Sequence, residues 1–295
     1  MQLFIEQVLN GVGNGVVYAS VALALVLIWR TTGVLNFAQG EMALFSTYVS
    51  WWLTTSGMPV FAAIGISMAL SFVAGAVIER TLIRPVEVGR SPLNVVIVTL
   101  GLFLAFNSLA QLVFGTDPQK MPSPFPRGSI DLVAGAALRK DTIGLVVVLV
   151  AEVALLWLLL QKTRLGLKLR AVASNPESAR LHGIHAGRML MVGWAMAAAL
   201  GALAGSLVAS ERTGFDASLM QTILVFAFAA AALGGFDSLV GAIVSGLIVG
   251  VANALTIQYV SWLQGIELIL PLGLILAVLV IRPTGLFGRR TVERV

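Results

Sequence analysis

Along its length the chain alternates long apolar runs with short polar breaks. A helix needs about 20 mainly apolar residues to cross a bilayer, within a range of about 17–25. Nine runs meet or approach that length: 8–29, 38–54, 58–78, 93–114, 143–161, 189–208, 219–234, 238–258 and 266–281. They predict an all-α polytopic membrane protein. The seventh and ninth runs are short, and the seventh also fits a broken or re-entrant helix, so the expectation is eight or nine transmembrane helices.

The breaks carry the charge. Loop 79–90 holds Arg80, Arg84 and Arg90, and loop 162–188 holds Lys162, Arg164, Lys168, Arg170, Arg180 and Arg188. The tail holds Arg282, Arg289, Arg290 and Arg294. With Arg30 these are 14 of the 19 basic residues, and one nine-span topology places all 14 in the cytoplasm. Cytoplasmic loops of membrane proteins carry excess Lys and Arg. The expected orientation is N-terminus outside and C-terminus cytoplasmic. Lys120, Arg127, Arg139, Lys140 and Arg212 are the exceptions. Four of them lie in loop 115–140, which also holds Pro118, Pro122, Pro124 and Pro126 and should be an irregular external segment. Trp51, Trp52 and Trp262 fall at outer ends of runs, and Trp29, Trp157 and Trp194 near inner ends. That placement suits interfacial belts.

Composition then narrows the class. Of the 295 residues 58% are hydrophobic and only 11% charged, and mean hydropathy is +0.95. So few charges cannot cover a water-soluble globule. Met1–Asn10 lacks Lys and Arg, so no cleavable signal peptide is expected. The +5 net charge is explained by cytoplasmic loops, and no nucleic acid is expected. Gly11/Gly15, Gly201/Gly205 and Gly246/Gly250 are each four residues apart. Such spacing lets helices pack closely in lipid, and intramolecular packing is the favoured reading over a dimer.

Catalytic patterns are missing. Cysteine is absent, no Gly-Lys dipeptide allows a P-loop, and no Gly-x-Ser-x-Gly elbow occurs. Gly11-Val-Gly13-Asn-Gly15 misses the dinucleotide spacing. His182 and His185 lie in a basic loop without paired carboxylates nearby. No catalytic, cofactor or metal residue is therefore assigned.

Three constellations remain. Asn36-Phe-Ala-Gln39-Gly-Glu41 interrupts the apolar pattern between the first two runs. Polar groups at membrane depth usually face a cavity or bundle interior, which reads as a pathway or gate. A turn with Asn36 capping the second span and Glu41 complementing its dipole fits equally. Loop 162–188 contains a helix signal: Asn175 as N-cap, Pro176 at the first helical position, Glu177 in the first turn and Gly183 after the C-cap. A lever docked in a partner's groove is favoured over a loop resting on headgroups. Finally, Glu152 falls near the middle of the fifth run. Intramembrane carboxylates are functional candidates by default. Asn107, Gln111, Asn14 and Asn253 also fall within runs, where interhelical hydrogen bonding is the simpler account.

Four blocks carry a resemblance: Thr32-Gly-Val-Leu-Asn-Phe-Ala-Gln-Gly-Glu41; Glu79-Arg-Thr-Leu-Ile-Arg-Pro85; Thr163–Ala171 with Asn175–Ile184; and Gly234-Gly-Phe-Asp-Ser-Leu-Val-Gly241. In this order they resemble permease subunits of the branched-chain amino acid ABC importer family, of the LivH type. The likeness runs across nearly the whole chain, implying a single permease domain over 1–295. It also implies a homologous second permease chain in a heterodimer, two cytoplasmic ATPase subunits, an external substrate-binding protein and a multi-pass place in the bacterial inner membrane. Asn175, Pro176, Glu177, Ala179, Arg180 and Gly183 then resemble a coupling helix seated on the ATPase. Asn36, Gln39, Glu41, Asn107 and Gln111 are the pathway candidates. Two departures, Phe45-Ser-Thr-Tyr48 where Gly-Ala-Tyr is common and Phe236-Asp237 where smaller residues are common, leave the solute open among branched-chain amino acids, urea, amides and aromatic acids. The rival reading is an ion-coupled secondary transporter with Glu152 as proton carrier.

Overall fold

Each of the nine apolar runs lies on a helix. The computed structural model describes residues 1–87, 92–131, 136–260, 265–266 and 268–288. Arg90, Trp262, Arg289, Arg290 and Arg294 lie outside the described residues. The helices are α1 (Gln2–Thr32), α2 (Gln39–Thr55), α3 (Val60–Ile78), α4 (Arg84–Glu87), α5 (Pro92–Phe114), α6 (Lys140–Lys162), α7 (Arg164–Ser174), α8 (Pro176–Leu181), α9 (Ala186–Glu211), α10 (Leu219–Gly234), α11 (Leu239–Tyr259) and α12 (Ile269–Ile281). A π-helical turn, Glu79–Ile83, joins α3 to α4. Among the described residues six helical segments are long and apolar enough to cross a membrane: α1, α3 with its π-turn extension, α5, α6, α9 and α11. α10 is an unbroken helix of 16 residues and α12 has 13.

The segment after α5 departs from a purely helical pattern. β1 (Ser129–Asp131) pairs antiparallel with β2 (Ala137–Arg139), with Ile130 opposite Leu138. Gly128, with φ of +120°, turns the chain into this ribbon. The first part of loop 162–188 is also more ordered than its charge suggested. It forms the amphipathic α7, whose N-cap Thr163 accepts a hydrogen bond from Gly166 N at 3.2 Å.

The chain divides into two compact units. One comprises 1–26, 125–149 and 222–295. In it α1 and α11 meet through their glycines. A Cβ on Gly11 would stand 2.6 Å from Val251 Cα, one on Gly15 2.8 Å from Leu247 Cα, and one on Gly246 2.7 Å from Ala19 Cα. The small-residue spacings thus serve intramolecular packing, as expected. Tyr18 stacks on Phe226 of α10 at 4.7 Å. Leu286 N and Phe287 N donate to Leu233 O and Gly234 O, fastening the segment after α12 to the end of α10.

The other unit comprises 27–124 and 150–221. Its centre is α2, packed against α3, α5 and α9. Gly201 and Gly205 of α9 admit the α2 side chains: a Cβ on Gly201 would stand 2.6 Å from Gln39 Nε2, and one on Gly205 3.0 Å from Ala43 O. Gly75 of α3 makes the same kind of approach to Trp194 O at 2.8 Å. Trp194 is 1% exposed. It is a packing residue of this unit, which corrects its assignment to an interfacial belt. Trp52 and Trp157 are exposed, as belts require.

Candidate functional site

α2 is apolar enough to sit among helices yet carries a polar residue on each flank. Positions three, four and seven apart share a helix face, so its side chains sort by neighbour. Toward α9, Gln39 Nε2 donates to Ala197 O at 2.9 Å and Ser206 Oγ to Ser50 Oγ at 2.9 Å. Toward α3, Ser46 and Ser71 hydroxyls meet at 2.6 Å, and Ser67 Oγ donates to Ser46 O at 2.6 Å. Toward α5, Glu41 receives Asn107 Nδ2 on Oε2 at 3.0 Å.

That last contact anchors a relay. Gln111 Nε2 donates to Asn107 Oδ1 at 2.6 Å, one turn along α5. Asn107 Nδ2 also donates to Ala217 O at 2.9 Å, tying α5 to the loop before α10. Glu41 is fully buried, and the Gln221 side chain lies beside its carboxyl. Its Oε1 accepts no hydrogen bond among the described residues. Buried polar atoms are nearly always paired, and the Gln221 amide is a donor at hand beside this carboxyl.

An aromatic cluster continues along the same face. Phe45 meets Phe106 and Phe114 edge-on at 5.8 and 5.7 Å. Tyr48 stacks on Phe114 at 5.0 Å and leans on Phe215 at 4.9 Å. Phe215 is held by a two-way backbone bridge with Gln119, both N–O distances being 2.8 Å. The adjoining turn is closed by Asp216, which accepts from Ser218 Oγ at 2.6 Å and Ser218 N at 2.8 Å. These bonds, the side-chain one foremost, hold the Asp216 carboxyl below its ordinary range.

The five pathway candidates therefore form two groups. Glu41, Asn107 and Gln111 make one connected cluster. Asn36 and Gln39 make another, with Asn36 Nδ2 donating to Gln39 Oε1 at 3.4 Å. Asn36 does not cap α2. Its Oδ1 accepts from Ala38 N at 3.0 Å in a tight turn, and Ala38 takes the N-cap position without a side-chain bond. α2 begins buried, and the turn itself engages its first amides, with Gln39 N donating to Asn36 O at 3.3 Å. Glu41 lies in the first turn of α2, where a carboxyl complements the helix dipole, and it also faces Asn107 of α5. Glu152 is buried near the middle of α6.

The coupling candidates share one element. Asn175 Oδ1 accepts from Ser178 N at 2.9 Å, and Pro176 occupies the first position of α8. Gly183, at φ +76°, ends it, with Gly183 N donating to Arg180 O at 2.9 Å and Ile184 N to Ala179 O at 3.0 Å. Ala179 turns inward onto Val172 and Ala186. Glu177 and Arg180 face outward, and Leu181 is 89% exposed.

Known proteins settle the class. The sequence matches the family described as "Branched-chain amino acid transport system / permease component" over residues 7–279. It is 31% identical to the high-affinity branched-chain amino acid transport system permease protein LivH of Salmonella typhimurium, covering 99% of this chain and 98% of that one. LivH of Escherichia coli K12 is 30% identical over the same shares, and BraD of Pseudomonas aeruginosa 27% identical over 99% and 98%. The chain belongs to this permease family.

As a permease of that family it is the membrane subunit of an ABC importer. An ion-coupled carrier working through Glu152 is not favoured. The permease reading also places what sequence reasoning passed over. Tyr48 and Phe45, departures from the family pattern, both line the Glu41 face of α2. Their spacing of four and seven residues from Glu41 was the available signal. Phe215 and the Ala217 carbonyl left no mark in the sequence, because a backbone acceptor has no residue type.

Proposed function

We propose that this permease moves branched-chain amino acids, or a related small polar solute, across the bacterial inner membrane in eight or nine spans. Its N-terminus faces outward and its C-terminus the cytoplasm. It works as one permease domain in a heterodimer with a homologous chain. A substrate-binding protein delivers solute from outside, and two ATPase subunits act on α8 through Asn175, Pro176, Glu177, Arg180 and Gly183, with Ala179 anchoring the helix. ATP binding and hydrolysis shift the bundle between inward- and outward-open states, each favoured by its own contacts.

The observation that carries this reading is the buried relay of Glu41, Asn107 and Gln111. A buried carboxyl group set among the Asn107 and Gln221 side chains suits a solute ammonium group. The adjacent phenyl rings suit an aliphatic side chain. Asn36 and Gln39 belong to the same path as a hinge at the start of α2.

The test is co-purification of the chain with its partners, followed by solute-stimulated ATPase measurement. Solute and binding protein should raise hydrolysis in the complex. The chain alone should transport nothing. Uptake by proteoliposomes of this chain alone, under a proton or sodium gradient, would overturn the proposal.

A further inference from the structure

A second charged site lies away from the Glu41 cluster. Arg80, Arg84, Arg180 and Arg188 line an open cleft of about 600 Å³ with His185. These residues come from three segments: the π-turn with α4, the end of α8, and the start of α9. The described lining contains no Asp or Glu. Behind it, Arg84 is committed. Its Nε and Nη2 donate to Glu79 Oε1 and Oε2 at 3.1 and 2.6 Å, and Nη2 also reaches Gly187 O at 2.5 Å. Glu79 is fully buried, so this pair fixes the cleft wall. Arg80, Arg180 and Arg188 are exposed, and no ion pair engages them among the described residues. The backbone adds to the positive field, since His185 leaves the N-terminus of α9 without a side-chain cap.

The position of the cleft identifies its ligand. α3 is 19 residues of apolar helix, long enough for about 28 Å of bilayer, and it ends at Ile78, where the π-turn carrying Arg80 begins. Leu70, Val73 and Val77 are 55%, 60% and 53% exposed. At spacings of three and four they form one exposed apolar stripe that runs into Arg80 and Arg84. The floor of the cleft is apolar, with Ile184 and Met191. An apolar track ending in unpaired guanidinium groups matches an acyl chain attached to a phosphate. We propose that this cleft is a binding site for the headgroup phosphate of an anionic phospholipid, its acyl chain lying along Leu70, Val73 and Val77. Guanidinium groups bind phosphate oxygens in charge-assisted, often paired hydrogen bonds, and basic pockets between membrane helices hold anionic headgroups. The site touches both the end of α3 and the turn after α8. A lipid seated there would brace that turn independently of solute.

Native mass spectrometry of the full-length chain, purified with its partner subunits, tests this. The probes are dioleoylphosphatidylglycerol, dioleoylphosphatidylcholine and inorganic phosphate. The variant is R80Q/R188Q, which spares Arg84 with its structural pair and Arg180 on the ATPase-facing α8, and R212Q is the control. Wild type and R212Q should retain the glycerol lipid in preference to the choline lipid. The double variant should bind it about tenfold more weakly, with an unchanged melting temperature. Millimolar phosphate should not displace it. Equal lipid retention by the double variant would overturn the proposal. Displacement by free phosphate would overturn it in favour of a soluble oxyanion. Loss of the ATPase subunits with unchanged lipid retention would assign the guanidinium groups to a protein partner instead.

Discussion

Asn107 of α5 donates a hydrogen bond to Glu41 of α2 at 3.0 Å, across 66 positions of chain. The same amide nitrogen reaches Ala217 O. One side chain thus joins a buried carboxyl on α2 to the loop leading into α10. Replacing it with leucine of similar size removes both bonds and leaves Glu41 buried with a weaker set of donors. Leaving a buried acceptor unpaired costs about 1–3 kcal/mol. Asn107→Leu should therefore lower the melting temperature of the purified complex and reduce uptake. Wild-type values for both would make the bond incidental.

Glycine positions in the two helical faces should behave oppositely. A side chain on Gly205 would press into Ala43 O and Thr47 Oγ1, whereas Gly101 has open space around its Cα. Gly205→Val should prevent recovery of folded protein, by separating α9 from α2. Gly101→Ala should be neutral or stabilising, since alanine favours helix by about 0.5–1 kcal/mol over glycine. Thermal unfolding of the purified variants separates the two.

Much of this was legible in the sequence because helix burial in lipid follows apolar run length, and each of the nine runs lies on a helix. Caps were legible too: Asn175, Pro176 and Gly183 occupy the positions their types predict. Contacts between distant segments were not. Asn107 and Gln111 stood out as polar residues in an apolar run, but their partner on α2 depends on packing. Trp194 near a helix end looked interfacial, because sequence position does not reveal that Gly75 lets α3 pack against it. In α7 the charges mask the leucine spacing of an amphipathic helix.

Gly183 makes a third prediction sharp. Its φ is +76° and no atom lies within 4 Å of a Cβ built there. Any effect of substitution is conformational, not steric crowding. A non-glycine residue resists this region by about 1–2 kcal/mol, and asparagine resists least. Gly183→Val should reshape the end of α8 and uncouple ATP hydrolysis from uptake or weaken ATPase retention. Gly183→Asn should be milder. Normal retention and normal uptake per ATP in Gly183→Val would remove α8 from the coupling role.

Glu152 provides a contrast with Glu41. Drive comes from ATP in an importer of this family, so no proton carrier is needed. Glu152→Gln keeps the shape and most of the hydrogen-bonding capacity of the side chain. Uptake should stay near wild type. Abolished uptake in an intact assembly would show that ionisation of Glu152 matters.

The central claim is that Glu41 handles solute within the permease. Its most direct measurement is uptake of radiolabelled leucine by proteoliposomes holding the assembled importer, with ATP supplied to the nucleotide-binding subunits. Glu41→Gln retains the Asn107 contact but removes the charge offered to an ammonium group. Losing a hydrogen bond to a charged group is worth about 1.5–3 kcal/mol, or about tenfold and more in transport efficiency. The account predicts that loss in Glu41→Gln while the ATPase subunits stay bound. Wild-type leucine uptake by an intact Glu41→Gln importer would contradict it.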